Sequence, residues 1–194
     1  MSGPITCFAL EPTDRAQEYL RRIEWLKAEQ AHCPASHGGH SASVAIGEIP
    51  LPGTKLGDGS QAEGSSADDH SHDDPRWPTH CACGLAFSTE REWLHGWKRL
   101  YRRSDSGELV TIDDAPAGAM WFADWYGDAY RGPDGRTLVV KTPVGEWIID
   151  AKPSGGGASW QRTGTPPKVT ARPSILFPNR GYHAWLTDVV LVPC

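Results

Sequence analysis

The stretch that decides the predicted fold class is TDRAQEYLRRIEWLKAEQ, residues 13–30. Thr13 or Asp14 can cap the N-terminus of a helix, because either side chain can accept a hydrogen bond from the first free backbone N–H groups. Apolar side chains then recur at helical spacing, at positions Ala16, Tyr19, Leu20, Ile23 and Leu26. The pattern predicts an amphipathic α-helix with a charged outer face.

A second helix is predicted at about residues 90–103. Thr89 and Glu92 have the spacing of a capping box, in which each side chain bonds the backbone N–H of the other residue. An apolar stripe follows at helical spacing, formed by Trp93, Leu94, Trp97, Leu100 and Tyr101.

The pattern then changes to that of β-strands. Short apolar segments alternate with turn residues such as Pro-Asp-Gly at 133–135 and Pro-Val-Gly at 143–145, and Thr187-Asp188 predicts a tight hairpin. The predicted strands lie at 109–112, 119–125, 137–142, 146–151, 174–177, 182–186 and 189–192. The predicted fold class is therefore α+β, with two helices in the N-terminal half and a mostly antiparallel β-sheet in the C-terminal half.

A length of 194 residues predicts a single domain, residues 1–194. Within it, residues 53–74 contain no aromatic side chain and one large aliphatic one, Leu56, so a flexible Gly/Ser/Asp-rich insertion is expected there. The N-terminal residues lack the basic and apolar regions of a signal peptide. No apolar run is long enough to cross a membrane. We therefore expect an intracellular protein with no membrane partner.

The charge pattern does not favour binding to many phosphate groups of a nucleic acid. The net charge is −5, and no long run of lysine and arginine occurs, so nucleic-acid binding is not favoured. In a reducing cytosol, the five cysteines favour metal binding or free thiols over disulfides.

The strongest chemical signal is THCACGLAF, residues 79–87. Two thiolates on a tight turn suit zinc, although the spacing Cys81-x-Cys83 is one residue shorter than the usual Cys-x-x-Cys-Gly. Two free thiols packed beside a helix start are the alternative interpretation. A redox pair is disfavoured, because redox motifs use Cys-x-x-Cys in a βαβ setting.

A structural zinc ion needs four ligands, so two more must come from elsewhere in the chain. The candidates are Cys33, His37, His40, His80 and His183. His80 is adjacent to Cys81, which makes it sterically awkward as a further ligand. Cys33 is favoured because a thiolate is the stronger ligand, with His40 next.

Several segments together carry a resemblance: WPTHCACGLAF at 77–87, residues 100–126, residues 130–150 and YHAWL at 182–186. They resemble a family of proteins encoded by actinobacterial phages and prophages, over most of residues 7–190. The late PSI…H pattern with the upstream Cys-x-Cys-Gly also resembles a smaller zinc-domain family of bacteria and phages. That resemblance implies that Cys81 and Cys83 pair with His183. The predicted ligand set is thus Cys33, Cys81, Cys83 and His183, with His40 as the alternative fourth ligand.

These observations favour a phage-encoded accessory protein that binds structural zinc and acts by binding a host or phage protein in the host cytoplasm. One alternative is a metal-dependent hydrolase with an open zinc position, although the sequence lacks His-Glu-x-x-His and the zinc-deaminase motif. A second alternative is a structural component of the virion. No catalytic residue is assigned, and the oligomeric state stays open.

Two other groups of residues contain side chains of the types that glycosidases and serine hydrolases use. Carboxylates near aromatic residues would suit glycosidase chemistry, but this composition is also common at strand ends, which is the interpretation we favour; the residues are Asp113, Asp114, Asp124, Asp128, Trp121, Trp125 and Tyr126. Ser174 and His183 would suit a serine hydrolase, but no Gly-x-Ser-x-Gly sequence surrounds Ser174.

Overall fold

The computed structural model describes residues 3–24, 33, 39–64, 73–87, 92–151 and 160–194. The described residues are mostly β-sheet, with 54% of them in strands, and they contain no helix of seven or more residues. The predicted α+β class is therefore wrong. No helix among the described residues is long and apolar enough to span a membrane.

The described strands are numbered in chain order, and two short 3-10 helices, Asp128–Tyr130 and Pro178–Arg180, lie between them. The strands are β1 (Ile5–Thr6), β2 (Phe8–Glu24), β3 (His40–Pro50), β4 (Glu92–Arg103), β5 (Leu109–Val110), β6 (Ala119–Phe122), β7 (Leu138–Thr142), β8 (Gly145–Ile148), β9 (Gln161–Thr165), β10 (Lys168–Phe177), β11 (Tyr182–Thr187) and β12 (Val190–Pro193).

The first predicted helix is instead part of the long strand β2, as far as Glu24; residues 25–30 lie outside the described residues. Ala16 and Leu20 are both buried, and their spacing of four fits one face of a helix and one face of a strand equally well. Arg22 and Glu24 distinguish the strand from the helix, because both are buried and continue the same alternating face as Ala16 and Leu20. Packing on both sides of the strand overrides the helical propensity of this sequence.

The second predicted helix is strand β4, and Thr89 of the proposed capping box lies outside the described residues. The predicted apolar stripe is only partly buried. Leu100 is in the interior, but Leu94 and Trp97 are 38% and 45% exposed. A helix would have placed all of these side chains on one buried face, whereas a strand sends alternate residues to opposite faces.

The chain divides into two compact units. Unit 1 comprises Met1–Pro12 and Tyr101–Cys194, and unit 2 comprises Thr13–Leu100. The prediction of one domain with an insertion at 53–74 stays a prediction.

Unit 1 contains a five-stranded antiparallel sheet in the order β1-β12-β11-β10-β9. Strands β6, β7 and β8 pair antiparallel in a second sheet, and the start of β2 runs parallel to β6. Met120 and Val140 of the second sheet share one hydrophobic core with Ala184 and Leu186 of the first. The two inner faces therefore pack on each other, as in a β-sandwich.

The prediction of antiparallel strands in the C-terminal half is confirmed. Strands β7 and β8 flank the predicted turn at 143–145, and β6 and β7 are joined by the connection that contains 133–135. Thr187 pairs with Val190, so the last hairpin has a two-residue loop in which Asp188 adopts a φ of 54°. Turn residues and β-branched segments were thus sufficient signals for these hairpins, but they did not predict β9 or residues 168–173 of β10.

A nearly fully buried ion pair joins β9 to the end of β8. The Arg162 Nε atom donates to Asp150 at 3.0 Å, and the same guanidinium makes two further bonds to Asp134 at 2.7 and 3.1 Å. The second oxygen of Asp150 accepts the backbone N–H of Leu138 at 3.1 Å. Arg162 and Asp150 are therefore paired where both side chains are only 3% exposed, whereas Asp134 is 43% exposed.

In unit 2, β2 lies between β3 and β4, and the antiparallel register with β3 runs from Arg15↔Pro50 to Glu24↔His40. Residues 54–62 of the predicted insertion form a small hairpin, in which Lys55 and Gln61 form a β-bridge and Ala62 is buried. The rest of that segment, 65–72, lies outside the described residues.

Replacing Arg162 by methionine should destabilise unit 1 by about 3 kcal/mol or more, because the carboxylate of Asp150 is left buried without its cation. Denaturant unfolding would measure the loss. Arg131→Met is the matched control, since the Arg131–Asp128 pair lies on the surface and should contribute at most about 1 kcal/mol. Equal effects of the two substitutions would contradict the structural role of Arg162.

Candidate metal centre

Four potential metal ligands of unit 2 converge at one point. Cys33, His40, Cys81 and Cys83 each offer one ligand atom, and these atoms all lie within 4.8 Å of one another. The first three residues are buried and Cys83 is half-buried. Three thiols and one imidazole form a donor set that can hold a metal ion.

Two distances between the ligand atoms are close to those around a tetrahedral ion. The Sγ atoms of Cys33 and Cys81 are 3.5 Å apart, and Nδ1 of His40 is 3.1 Å from Sγ of Cys83. Zinc–ligand bonds of about 2.0–2.3 Å give tetrahedron edges of about 3.3–3.8 Å, so the first distance lies within this range and the second is slightly shorter. All five cysteines of the chain are free thiols, so no disulfide competes for these sulfur atoms.

The knuckle at 79–87 is a tight hairpin that orients its two thiols. The Cys81 N–H donates to the Leu85 carbonyl at 2.8 Å, the Gly84 N–H to the Cys81 carbonyl at 2.9 Å and the Phe87 N–H to the Thr79 carbonyl at 2.9 Å. Gly84 has a φ of +89°, which is strained for residues with a side chain. The shorter Cys-x-Cys spacing is therefore compatible with a turn that points both sulfurs to one side.

The other two ligands come from the connection between β2 and β3 and from its end. His40 is the first residue of β3 and pairs in register with Glu24, the last residue of β2. Cys33 lies seven residues before it in the chain. The length of the β2–β3 pairing thus fixes where the imidazole stands relative to the knuckle.

The surroundings of the cluster combine an aromatic ring with a buried cation. Phe87 packs against Cys33 and Cys81 in a small hydrophobic cluster. The Arg22 guanidinium lies 5.5 Å from the centre of the Phe87 ring, and its Nη1 donates to the Pro78 carbonyl at 3.4 Å. Burial lowers the pKa of Arg22, which the nearby charge of Glu24 opposes. A positive charge beside the knuckle suits a zinc ion with three thiolates, whose net charge is −1.

Without a metal ion, the surroundings of Cys83 favour its neutral thiol over the thiolate. The Leu85 backbone N–H lowers the pKa of Cys83, but desolvation and the neighbouring Cys81 and Cys33 together raise it above its usual value. A bound cation reverses this preference, because it replaces the protons of the thiols. Metal binding here therefore releases protons and weakens as the pH falls.

The structure separates the predicted ligands into two groups. Cys33, Cys81 and Cys83 are brought together, and the imidazole that joins them is His40, the alternative fourth ligand. His183 lies in β11 of unit 1, exposed, with Nε2 2.9 Å from the Ser174 hydroxyl. His80 is exposed and bonds the Thr79 side chain, and His37 lies outside the described residues.

The signal for His40 was present in the sequence but ambiguous. His40 was predicted only as the alternative fourth ligand, because the resemblance favoured His183. A reason to place His40 first comes from the register of β3, which requires residues 13–24 to form a strand. The resemblance that favoured His183 carried no information about this register.

No protein-family model, no curated protein and no solved structure matches the chain. The assignment of the site therefore rests on its geometry and donor set.

Thiol reactivity should separate the four-residue cluster from the other cysteines. In zinc-loaded protein near neutral pH, one thiol, the exposed Cys194, should react quickly with an aromatic disulfide reagent. Cys7 should stay slow, because burial raises its pKa to about 11. A strong chelator should release three additional reactive thiols. A count that the chelator does not change would contradict a metal centre at these residues.

Proposed function

We propose that the chain is a zinc-binding accessory protein whose metal is structural. Cys33, His40, Cys81 and Cys83 would hold the ion and connect the β2–β3 hairpin to the knuckle. The convergence of their ligand atoms within 4.8 Å is the observation that carries the proposal. Zinc fits best, because three thiolates and an imidazole are soft and borderline ligands in a tetrahedral arrangement.

The apolar surroundings of the ligand cluster support a structural role for the metal. Among the described residues, Cys33 and Cys81 pack with Phe87 in one hydrophobic cluster of unit 2, so two potential ligands are part of its buried interior. An ion bound there would connect the chain segments that meet in this interior.

The donor set argues against the alternative of a zinc hydrolase. A catalytic zinc site uses three protein ligands and keeps a fourth position for water or substrate. Here four protein ligands are available, so a tetrahedral ion would have no open position. The site therefore favours a structural metal over a hydrolytic one.

The proposed partner and compartment come from the resemblance and not from the site. A host or phage protein is the expected partner, and the host cytoplasm is the expected compartment. Both rest on the resemblance of residues 77–87 and 100–150 to proteins of actinobacterial phages.

Metal analysis of the purified full chain tests the proposal. The wild-type protein should contain about one zinc ion per chain, and Cys81→Ser and His40→Ala should lose it or bind it far more weakly. Because zinc would bind the folded state, free zinc at one hundred times Kd should stabilise the protein by about 2.7 kcal/mol. Element analysis and thermal unfolding with and without chelator would measure both effects.

Two variants serve as matched controls. His183→Ala and Cys194→Ser remove the same side-chain types from residues outside the cluster, and both should retain full zinc content. Loss of zinc in His183→Ala with retention in His40→Ala would contradict the proposed ligand set. A protein that folds fully without zinc and gains no stability from it would contradict a structural role.

A further inference from the structure

The connection between β6 and β7 in unit 1 displays an unusual group of aromatic side chains. Trp125 is 63% exposed, more than any other large hydrophobic side chain in the described residues, and Tyr130 is 39% exposed. Tyr126 stands between them, with its ring centre 6.1 Å from that of Trp125 and 5.4 Å from that of Tyr130. We call Trp125, Tyr126 and Tyr130 the aromatic platform.

The platform stands on a firmly held loop. Tyr126 packs against the core that contains Trp121 and Val139. The Ala123 N–H donates to the Thr137 carbonyl at 2.8 Å and closes the loop at its base. Asp134 of the same loop is bound by the buried Arg162. Side chains held in place before binding lose little conformational entropy when a ligand arrives.

The two ion pairs beside the rings each join one carboxylate to one guanidinium. Asp124 is paired with Arg136 at 2.7 Å and Asp128 with Arg131 at 2.8 Å. These two pairs therefore add no net charge that would attract a charged partner to the rings. The pairs still offer hydrogen-bond acceptors and donors side by side at the edge of the aromatic rings.

We propose that the aromatic platform binds a neutral carbohydrate chain. The C–H faces of pyranose rings would pack on Trp125 and Tyr130, since the negative face of an aromatic ring attracts polarised hydrogens. The Asp124–Arg136 and Asp128–Arg131 pairs would exchange hydrogen bonds with neighbouring sugar hydroxyls. Both kinds of contact come from unit 1 alone, so the site does not depend on the metal centre.

The site binds sugars without cleaving them. Glycosidases need a carboxylic acid with a raised pKa that protonates the leaving oxygen. At the platform the opposite holds for Asp124, since the hydrogen bonds from Arg136 hold its pKa below the usual value. Asp124 therefore stays ionised and serves as a hydrogen-bond acceptor.

The test is a titration of the 15N-labelled full chain with soluble oligosaccharides of β-1,4-linked glucose, β-1,4-linked N-acetylglucosamine and α-1,4-linked glucose. At least one series should shift the Trp125 indole N–H signal and the backbone signals of 124–136. Trp125→Ala should weaken that binding by about tenfold or more. Trp125→Phe should retain part of the affinity, because it keeps an aromatic face.

Trp185→Ala is the matched control, because Trp185 is a second exposed tryptophan of unit 1, in β11. It should leave binding unchanged. The proposal is overturned if none of the three series shifts these signals at millimolar concentrations. It is also overturned if Trp125→Ala and Trp185→Ala weaken binding equally.

Discussion

The constraint on which unit 2 depends is the meeting of three distant parts of the chain at the Cys33, His40, Cys81 and Cys83 cluster. Forty-eight residues separate Cys33 from Cys81, and closing a loop of that length costs entropy that the few apolar contacts of the cluster must offset. In the proposed function, a four-coordinate divalent ion would supply the missing free energy, and it would bind only when both the knuckle and the start of β3 are in place. Metal binding and folding of this unit would then be coupled.

Most strands of the C-terminal half, though not β9, could be predicted from the sequence because their signals are local. Turn residues at 143–145 and 187–188 mark hairpins whose strands are adjacent in the chain, so pattern and pairing agree. The N-terminal half could not be predicted in this way. In β2 the buried residues Ala16 and Leu20 fit two periodicities, and the deciding residues, Arg22 and Glu24, are charged side chains that a sequence argument assigns to the solvent.

The wrong prediction of a helix at residues 13–30 also limited the prediction of the metal site. The three thiols could be proposed from residue chemistry alone, since a Cys-x-Cys-Gly turn and a nearby cysteine are informative wherever they occur. The imidazole of His40 could be proposed only as an alternative to His183, because its position is set by the pairing of Glu24 with His40 across two strands. A helix at 13–30 gives no such register.

The two units differ in what holds them together. Unit 1 has a sandwich core, a buried ion pair and a loop that carries three neighbouring aromatic rings. Unit 2 has a cluster of four potential metal ligands, and under the proposed function its order would depend on the supply of metal.

X-ray absorption at the zinc K-edge of the purified protein tests the central claim most directly, because it reports the atoms bound to the metal. The Cys33, His40, Cys81 and Cys83 centre predicts three sulfur neighbours at about 2.3 Å and one nitrogen at about 2.0–2.1 Å. A first shell with only nitrogen and oxygen neighbours, or with an additional bound water in place of a thiolate, would contradict it.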